Sequence, residues 1–549
     1  MIRKCKITSP TLSILLLLSG LLLGACQKDD TGMQLVAEGF GGAKAAVDRY
    51  LCYWVDGESV RINGETRQVT VDGSTAYLSD VASAPVYRAL YPDSLNSTAA
   101  LTDDEVQVLI PRTYTYRESG GLQLLGVPMA GRGTDESQLV LQHLTAALTV
   151  EIKNLYGFTI EVDSVVVMSN LYQLCGEKEI TLAAAISVDA DKENVSAADK
   201  RVKVCFDDGT ALRVLSGETR RVQVPVLPVG NDNRFTIRVG VHKVDDADVK
   251  HVFEKTQQDA QDSYALGRRQ MGFAGVKFGS GFSVSGSKQV IISQGNLQYV
   301  PSTGVWSFHA HPYDLCETGP VDSTTRYYAA GSNPIDLFGY GTSGYNNMYP
   351  YMTSKTDTDY PPVSNFSKTE YDWGWHNRIS NGGDATEVWY LLTHKQWDSI
   401  FTKRAVETTG INSNSPTRYT YATIDGTYKG IILFPDKYTH PTGTDPSCLS
   451  GATFNSKSDF TATLSLSDWK KMEGAGAVFL PAAGYRKNFG SKSIGCHNII
   501  APTTGMYWTS SYSISNSKPY CLQLPNTYSS IYITYTREFG LSVRLVRDL

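Results

Sequence analysis

The sequence predicts a mainly β protein, with a β-sandwich in its first half and an α+β domain in its second. Two observations predict it. From position 56 onward, apolar and polar residues alternate in short runs broken by Gly, which is the period of antiparallel strands. Composition then changes near Gly275: seven of the eight Trp lie beyond it and only Trp54 before it, so a second core of different make-up begins there.

In chain order, Lys4 and Lys6 precede an apolar run over 12–23 that is too short to span a bilayer, and the small residues Gly24 and Ala25 follow. Leu23-Gly24-Ala25-Cys26 resembles the lipobox of bacterial lipoproteins. The resemblance implies removal of 1–25 and acylation of Cys26, giving a multi-chain lipid anchor in the outer membrane. Gln27-Lys28-Asp29-Asp30 is similar to the acidic export signal of Bacteroidota lipoproteins, which implies surface exposure; a plain solvated tether over 26–35 reads the same way.

No later stretch is apolar for long enough to cross a membrane as a helix. A net charge of −5 over 549 residues, without a block of Lys or Arg, argues against nucleic acid as a partner. Of nine cysteines, Cys52, Cys175, Cys205, Cys316, Cys448, Cys496 and Cys521 remain once Cys5 and Cys26 are set aside. They form no C-x-x-C pair and no disulfide framework, so mostly buried thiols are expected, with Cys496 and Cys521 as the one candidate bridge.

The sandwich is expected over 36–275. Its strands include Val60-Arg61-Ile62, Gln68-Val69-Thr70-Val71, Ala76-Tyr77-Leu78 and the runs 139–153, 162–168, 221–229 and 234–242. The run containing Leu139, Leu141, Leu144, Ala146, Leu148, Val150 and Ile152 reads as a core strand, with His143 satisfied beside it rather than acting as a ligand. Val86-Tyr87-Arg88-Ala89-Leu90-Tyr91-Pro92, Val127-Pro128-Met129-Ala130 and Leu141-Gln142-His143-Leu144-Thr145-Ala146, in that order, resemble the Mfa-like or FimA-like fimbrillins. This implies fimbrial subunits as partners through β-strand addition. It also implies a cut after a basic residue, for which Arg49 and Arg67 are candidates, with no processing as the open alternative.

Polar composition over 245–269 places a boundary near Gly275, and 276–549 follows as the second domain. Strands are expected around 289–293, 297–300 and 304–308. Thr393 and Gln396 suit a capping box before Trp397, Ile400 and Phe401, and Asp425-Gly426 suits a hairpin turn. A further helix is expected from Ser467 to Gly474. Val388-Trp389-Tyr390-Leu391-Leu392-Thr393, Val478-Phe479-Leu480-Pro481-Ala482, Gly505-Met506-Tyr507-Trp508 and Phe539-Gly540-Leu541-Ser542-Val543-Arg544-Leu545 are similar to FISUMP domains. That likeness implies a C-type-lectin-like fold.

Enzymatic motifs fail one by one, and no cofactor is expected. Cys521 lacks the close partner cysteine that formylglycine-generating enzymes need, and the calcium-binding triplets of sugar-binding lectins do not occur. Gly339-Tyr340-Gly341-Thr342-Ser343-Gly344 matches G-x-G-x-x-G without a βαβ unit around it. His309-Ala310-His311 offers two imidazoles but no evident acidic third ligand, so no metal is assigned. Trp373, Trp375, His376 and Asn377 form an aromatic segment suited to contact a glycan or a host protein, or else to fill a core. The reading is a surface-exposed outer-membrane lipoprotein, an accessory or tip component of a type V fimbria. The alternative is a free-standing surface glycan- or protein-binding lipoprotein that is not assembled into a pilus.

Overall fold

The computed structural model describes residues 32–38, 56–72, 75–95, 101, 104–118, 122–183, 186, 188–207, 210–257, 265–316, 334–352, 356–361, 365–411, 416–445, 448–449, 452, 454–456, 460, 462–487, 498–499, 504–524 and 532–549. The mainly β class holds throughout. β1 (Met33–Glu38), β2 (Ser59–Ile62), β3 (Glu65–Asp72), β4 (Thr75–Leu78) and β5 (Tyr87–Tyr91) come first. β6 (Glu105–Ile110), β7 (Thr113–Glu118) and β8 (Leu122–Leu124) leave for a second body before β9 (Met129–Gly133) and β10 (Gln138–His143) return. In the order β1-β10-β9-β5-β2-β3-β4, with β4 paired back to β1, seven strands close a barrel. Val60, Ile62, Val69, Leu78, Leu139 and Leu141 fill it, the inward half of a period-two pattern.

The sandwich adds β11 (Ala146–Asn154), β12 (Ile160–Ser169), β13 (Gly176–Thr181), β14 (Arg201–Phe206), β15 (Arg213–Val214), β16 (Thr219–Val226), β17 (Phe235–Lys243), β18 (Asp246–Thr256) and β19 (Met271–Phe278). One sheet runs β16-β11-β19 and the other β18-β17-β12-β14-β7-β8, with Val150, Val165, Val204, Val224 and Val239 in the core shared between them. The first half is thus two bodies rather than one sandwich. The apolar run expected to be a single core strand is divided, β10 serving the barrel and β11 the sandwich. His143 ends β10 opposite Met129, where burial, with Arg269 and Arg268 nearby, pushes its pKa down to about 4. It is a neutral core histidine.

The polar stretch expected to be a junction contains β18, an eleven-residue strand paired with β17. Gly275 lies inside β19, which runs parallel to β11, so the sandwich continues to Phe278.

The second half begins with β20 (Phe282–Ser283), β21 (Gln289–Ile292), β22 (Leu297–Val300) and β23 (Val305–Phe308), then α1 (Trp373–His376), β24 (Tyr390–Leu391) and α2 (His394–Asp398). Next come β25 (Glu407–Thr409), β26 (Tyr419–Ile424), β27 (Tyr428–Leu433), β28 (Lys437–Thr439), β29 (Ala462–Leu464), α3 (Leu466–Gly474) and β30 (Val478–Pro481). β31 (Arg486–Lys487), β32 (Asn498–Ile499), β33 (Gly505–Ser513), β34 (Lys518–Leu524), β35 (Tyr532–Thr534) and β36 (Leu545–Asp548) complete it. Its main sheets are β20-β21-β36-β24, β29-β26-β27-β30 and β33-β34-β35.

Local chemistry explains several of these elements. Thr393 and Gln396 form the expected capping box on α2, with Trp397 and Ile400 buried behind it. Asp425 and Gly426 both take positive φ, 52° and 64°, and turn β26 into β27. The cap of α3 is Ser465, whose hydroxyl accepts the Asp468 N–H at 3.0 Å, and the expected opener Ser467 falls within the first turn.

The two halves are joined through a buried interface. Lys243 Nζ donates to Glu473 Oε1 at 2.8 Å with both side chains buried, and Tyr156 Oη donates to the Gly474 carbonyl at 2.6 Å. Lys470 bridges Asp246 and Asp248 on β18, each at 3.0 Å. The Gln294 N–H donates to the Gly157 carbonyl at 3.1 Å. At Gly157 a Cβ would stand 1.9 Å from the Ile292 carbonyl oxygen, so only glycine permits this approach.

Candidate functional site

Cys26, Gln27, Lys28, Asp29, Asp30 and Arg49 lie outside the described residues. Arg67 lies within β3, opposite Val60 on β2, and ion-pairs with Glu65. A site in a paired strand is not the exposed linker that proteolysis favours. In the sequence, β1 lies between Cys26 and Arg49. It pairs in parallel with β10 and antiparallel with β4, and it sends Met33 and Leu35 into the barrel core.

The aromatic segment of the second half is mostly core. Trp373 is 0% exposed, packs on Phe338 and Phe366, and its indole N–H donates to the Thr342 carbonyl at 3.0 Å. Asn377 spends its amide on the Ser343 and Trp373 carbonyls, each at 2.9 Å. Trp375 is half-buried, with the Lys368 ammonium 5.3 Å from its ring centre. The ring that reaches solvent here is one sequence reasoning missed. Tyr345, 39% exposed, stands edge-on to Tyr371 at 5.1 Å and to His376 at 5.6 Å. It follows Gly344, whose φ of 97° ends the G-x-G-x-x-G loop. That loop is structural: Tyr340 is buried, and Gly339 is packed against the Tyr360 ring.

The histidine pair separates. His311 stacks on Tyr313 with its Nδ1 3.6 Å from Asp246, while His309 turns into the domain toward Asp336 and Cys316. His309 Nε2 lies 3.2 Å from Asp336 Oδ2 and 3.8 Å from Cys316 Sγ. This cluster edges a cavity of about 750 Å³ that Gln298, Tyr313, Thr427 and Lys429 also line. Burial, with Glu473, Asp314 and Asp246 adding negative charge, pushes the Tyr313 phenol well up, so that wall stays neutral. The acidic residue that seemed missing beside His309 is Asp336, 27 positions away, and only folding brings it there.

Cys521 is a fully buried free thiol, and Cys496, the other half of the expected bridge, lies outside the described residues.

No protein-family profile matches the chain, and no curated protein does. Among solved structures, it is similar to a candidate cell adhesion protein of Bacteroides ovatus, at 8% identity and a TM-score of 0.27, over 45% of this chain and 91% of that one. It is also similar to a candidate cell adhesion protein of Bacteroides uniformis, at 15% identity and a TM-score of 0.25, over 45% and 94%. A fimbrial protein of Bacteroides vulgatus matches at 9% identity and a TM-score of 0.21, over 45% and 95%. Identities and TM-scores this low assign neither fold nor function by themselves.

Proposed function

We propose that this chain is an adhesion-related surface protein, a lipid-anchored accessory or tip component of a type V fimbria. The observation that carries the reading is the seating of β1. It is a six-residue strand slotted between β10 and β4, close behind the lipobox and followed by the segment that contains Arg49. Release of β1 would leave two unpaired strand edges and an apolar slot vacated by Met33 and Leu35, which is what a donated strand from another subunit needs. Arg49 is the processing site in this proposal, and Arg67 drops out because it sits inside β3.

Donation in the other direction is disfavoured. β36 lies between β21 and β24 in its sheet, and Leu541, Val543, Leu545 and Val546 are all fully buried. Withdrawing this segment would expose side chains worth about 1.5–3 kcal/mol each. A subunit that accepts a strand while β36 stays in its own sheet suits a place that caps or decorates a shaft. The C-type-lectin-like reading of the second half belongs to the same proposal. Its outward contact is the Tyr345, Tyr371 and His376 face, whose rings can stack on sugar.

The test is to shear fimbriae from cells making an epitope-tagged chain. Co-purification with shafts that persist when the gene is deleted supports the reading. A tag that stays wholly with outer-membrane vesicles favours the free-standing surface protein, and shafts built from repeating copies of this chain defeat the capping role. Proteinase K should strip the tag from intact cells.

A further inference from the structure

Three metal-ligating atoms converge where β23 ends. His309 Nε2, Cys316 Sγ and a carboxylate oxygen of Asp336 all lie within 4.8 Å of one another, and all three residues are buried. The carboxylate and the sulfur approach the same ring nitrogen, at 3.2 and 3.8 Å. A nucleophilic relay would place them on opposite nitrogens of the ring, with the carboxylate holding the one that the thiol does not use. A proton on Nε2 points along one line and serves one acceptor. The thiol also stands 4.0 Å from Gln298 Oε1, and a cation that draws the three atoms inward would engage all of them together.

We propose that His309, Cys316 and Asp336 form a zinc-binding site. Zinc bonds of about 2.0–2.3 Å at tetrahedral angles set N and O roughly 3.3 Å apart and N and S roughly 3.5 Å apart. The spacings from Nε2, 3.2 and 3.8 Å, stand close to these, and the three atoms, within 4.8 Å of one another, would draw together on the ion. Thiolate is a soft donor and imidazole a borderline one, a pair that favours zinc over calcium or magnesium, which take oxygen. Three protein ligands leave a fourth position, and the cavity beside the cluster has room for a water or another donor there.

The surroundings hold the ligands in place. The His309 N–H donates to the Asn296 carbonyl at 3.0 Å, and the His309 carbonyl accepts from Gln294 Nε2 at 3.0 Å. At Gly295 a Cβ would stand 2.5 Å from that same carbonyl, so glycine lets the two segments close up. The Cys316 N–H donates to Asp336 Oδ2 at 2.8 Å, an outer contact that orients the carboxylate. Lys243 fixes the Ala310 carbonyl at 2.7 Å and ties the ligand loop to the sandwich.

The experiment strips the full chain with a chelator and dialyses it against Zn²⁺ or Co²⁺. One equivalent of metal should be retained, and the cobalt form should show a near-ultraviolet thiolate-to-cobalt charge-transfer band with visible bands of tetrahedral intensity. Zinc should raise the melting temperature, while millimolar Ca²⁺ should not. Cys316→Ser should abolish the charge-transfer band and weaken zinc binding by orders of magnitude, and Cys448→Ser, at a buried thiol elsewhere, should change neither. Near-ultraviolet circular dichroism confirms that each variant is folded. Failure of the wild-type chain to retain an equivalent overturns the proposal, as does a band that survives Cys316→Ser. The wild-type titration decides even if a variant misfolds.

Discussion

Arg404 and Asp436 show what a buried charge requires. Arg404 donates to Asp436 at 3.0 Å and to the Ile400, Phe434 and Arg418 carbonyls, while Asp436 also accepts from Ser283 and Gln289. Arg404→Met strands the carboxylate and should cost about 3–5 kcal/mol in urea unfolding, much of it recovered in the Arg404→Met, Asp436→Asn double variant. Asp372 is a buried carboxyl with no cationic partner of this kind. Burial, outweighing the N–H groups of Leu391 and Lys368 at 2.9 and 3.0 Å, raises its pKa to about 7. The folded protein therefore holds a proton that the unfolded chain has already released. This contribution is complete below the ordinary carboxylate range, falls as pH rises toward 7 and is flat above it. At about 1.4 kcal/mol per pKa unit, the loss amounts to a few kcal/mol. Asp372→Asn should remove that slope, read as the difference in urea midpoints between pH 5 and pH 8. A variant with the wild-type slope would assign the titration to another group. None of these three residues stands out in the sequence, because a lone Asp or Arg does not reveal its partners.

Elements were legible where the signal is local. The capping box at Thr393 and Gln396 and the turn at Asp425-Gly426 are set by side chains and dihedrals within four residues, and both are present as expected. The cap of α3 moved by two residues because Ser465 and Ser467 offer the same hydroxyl, and packing of Trp469 and Met472 decided which one stands before the first turn. Periodicity found the strands around His143 but could not show that β10 and β11 turn into different cores, since an inward side chain looks alike in either. β1 makes the element-scale prediction. Leu35→Asp puts a charge into the barrel core and should loosen β1 first, so amide exchange should rise along β10 and β4 while β26 and β27 stay protected. Uniform exchange across the chain would mean that β1 has no separate opening.

At the scale of the whole molecule, the sandwich and the second half share a buried interface, and the charge on Glu473 is paired with Lys243 from the other side. Gly157→Ala would force a methyl group against the Ile292 carbonyl and should split one calorimetric transition into two, because the two cores then melt apart. A single transition of unchanged midpoint would show that the interface yields without cost. The sequence by itself determined the β class, the change of composition near Gly275, the turns and the cap of α2, because each depends on residues near one another in the chain. Only the tertiary structure decided that Trp373 is core while Tyr345 is surface, that the first half is a barrel and a sandwich, and that Asp336 and Cys316 meet His309. Those outcomes depend on which distant segments close against each other, and no local pattern records that.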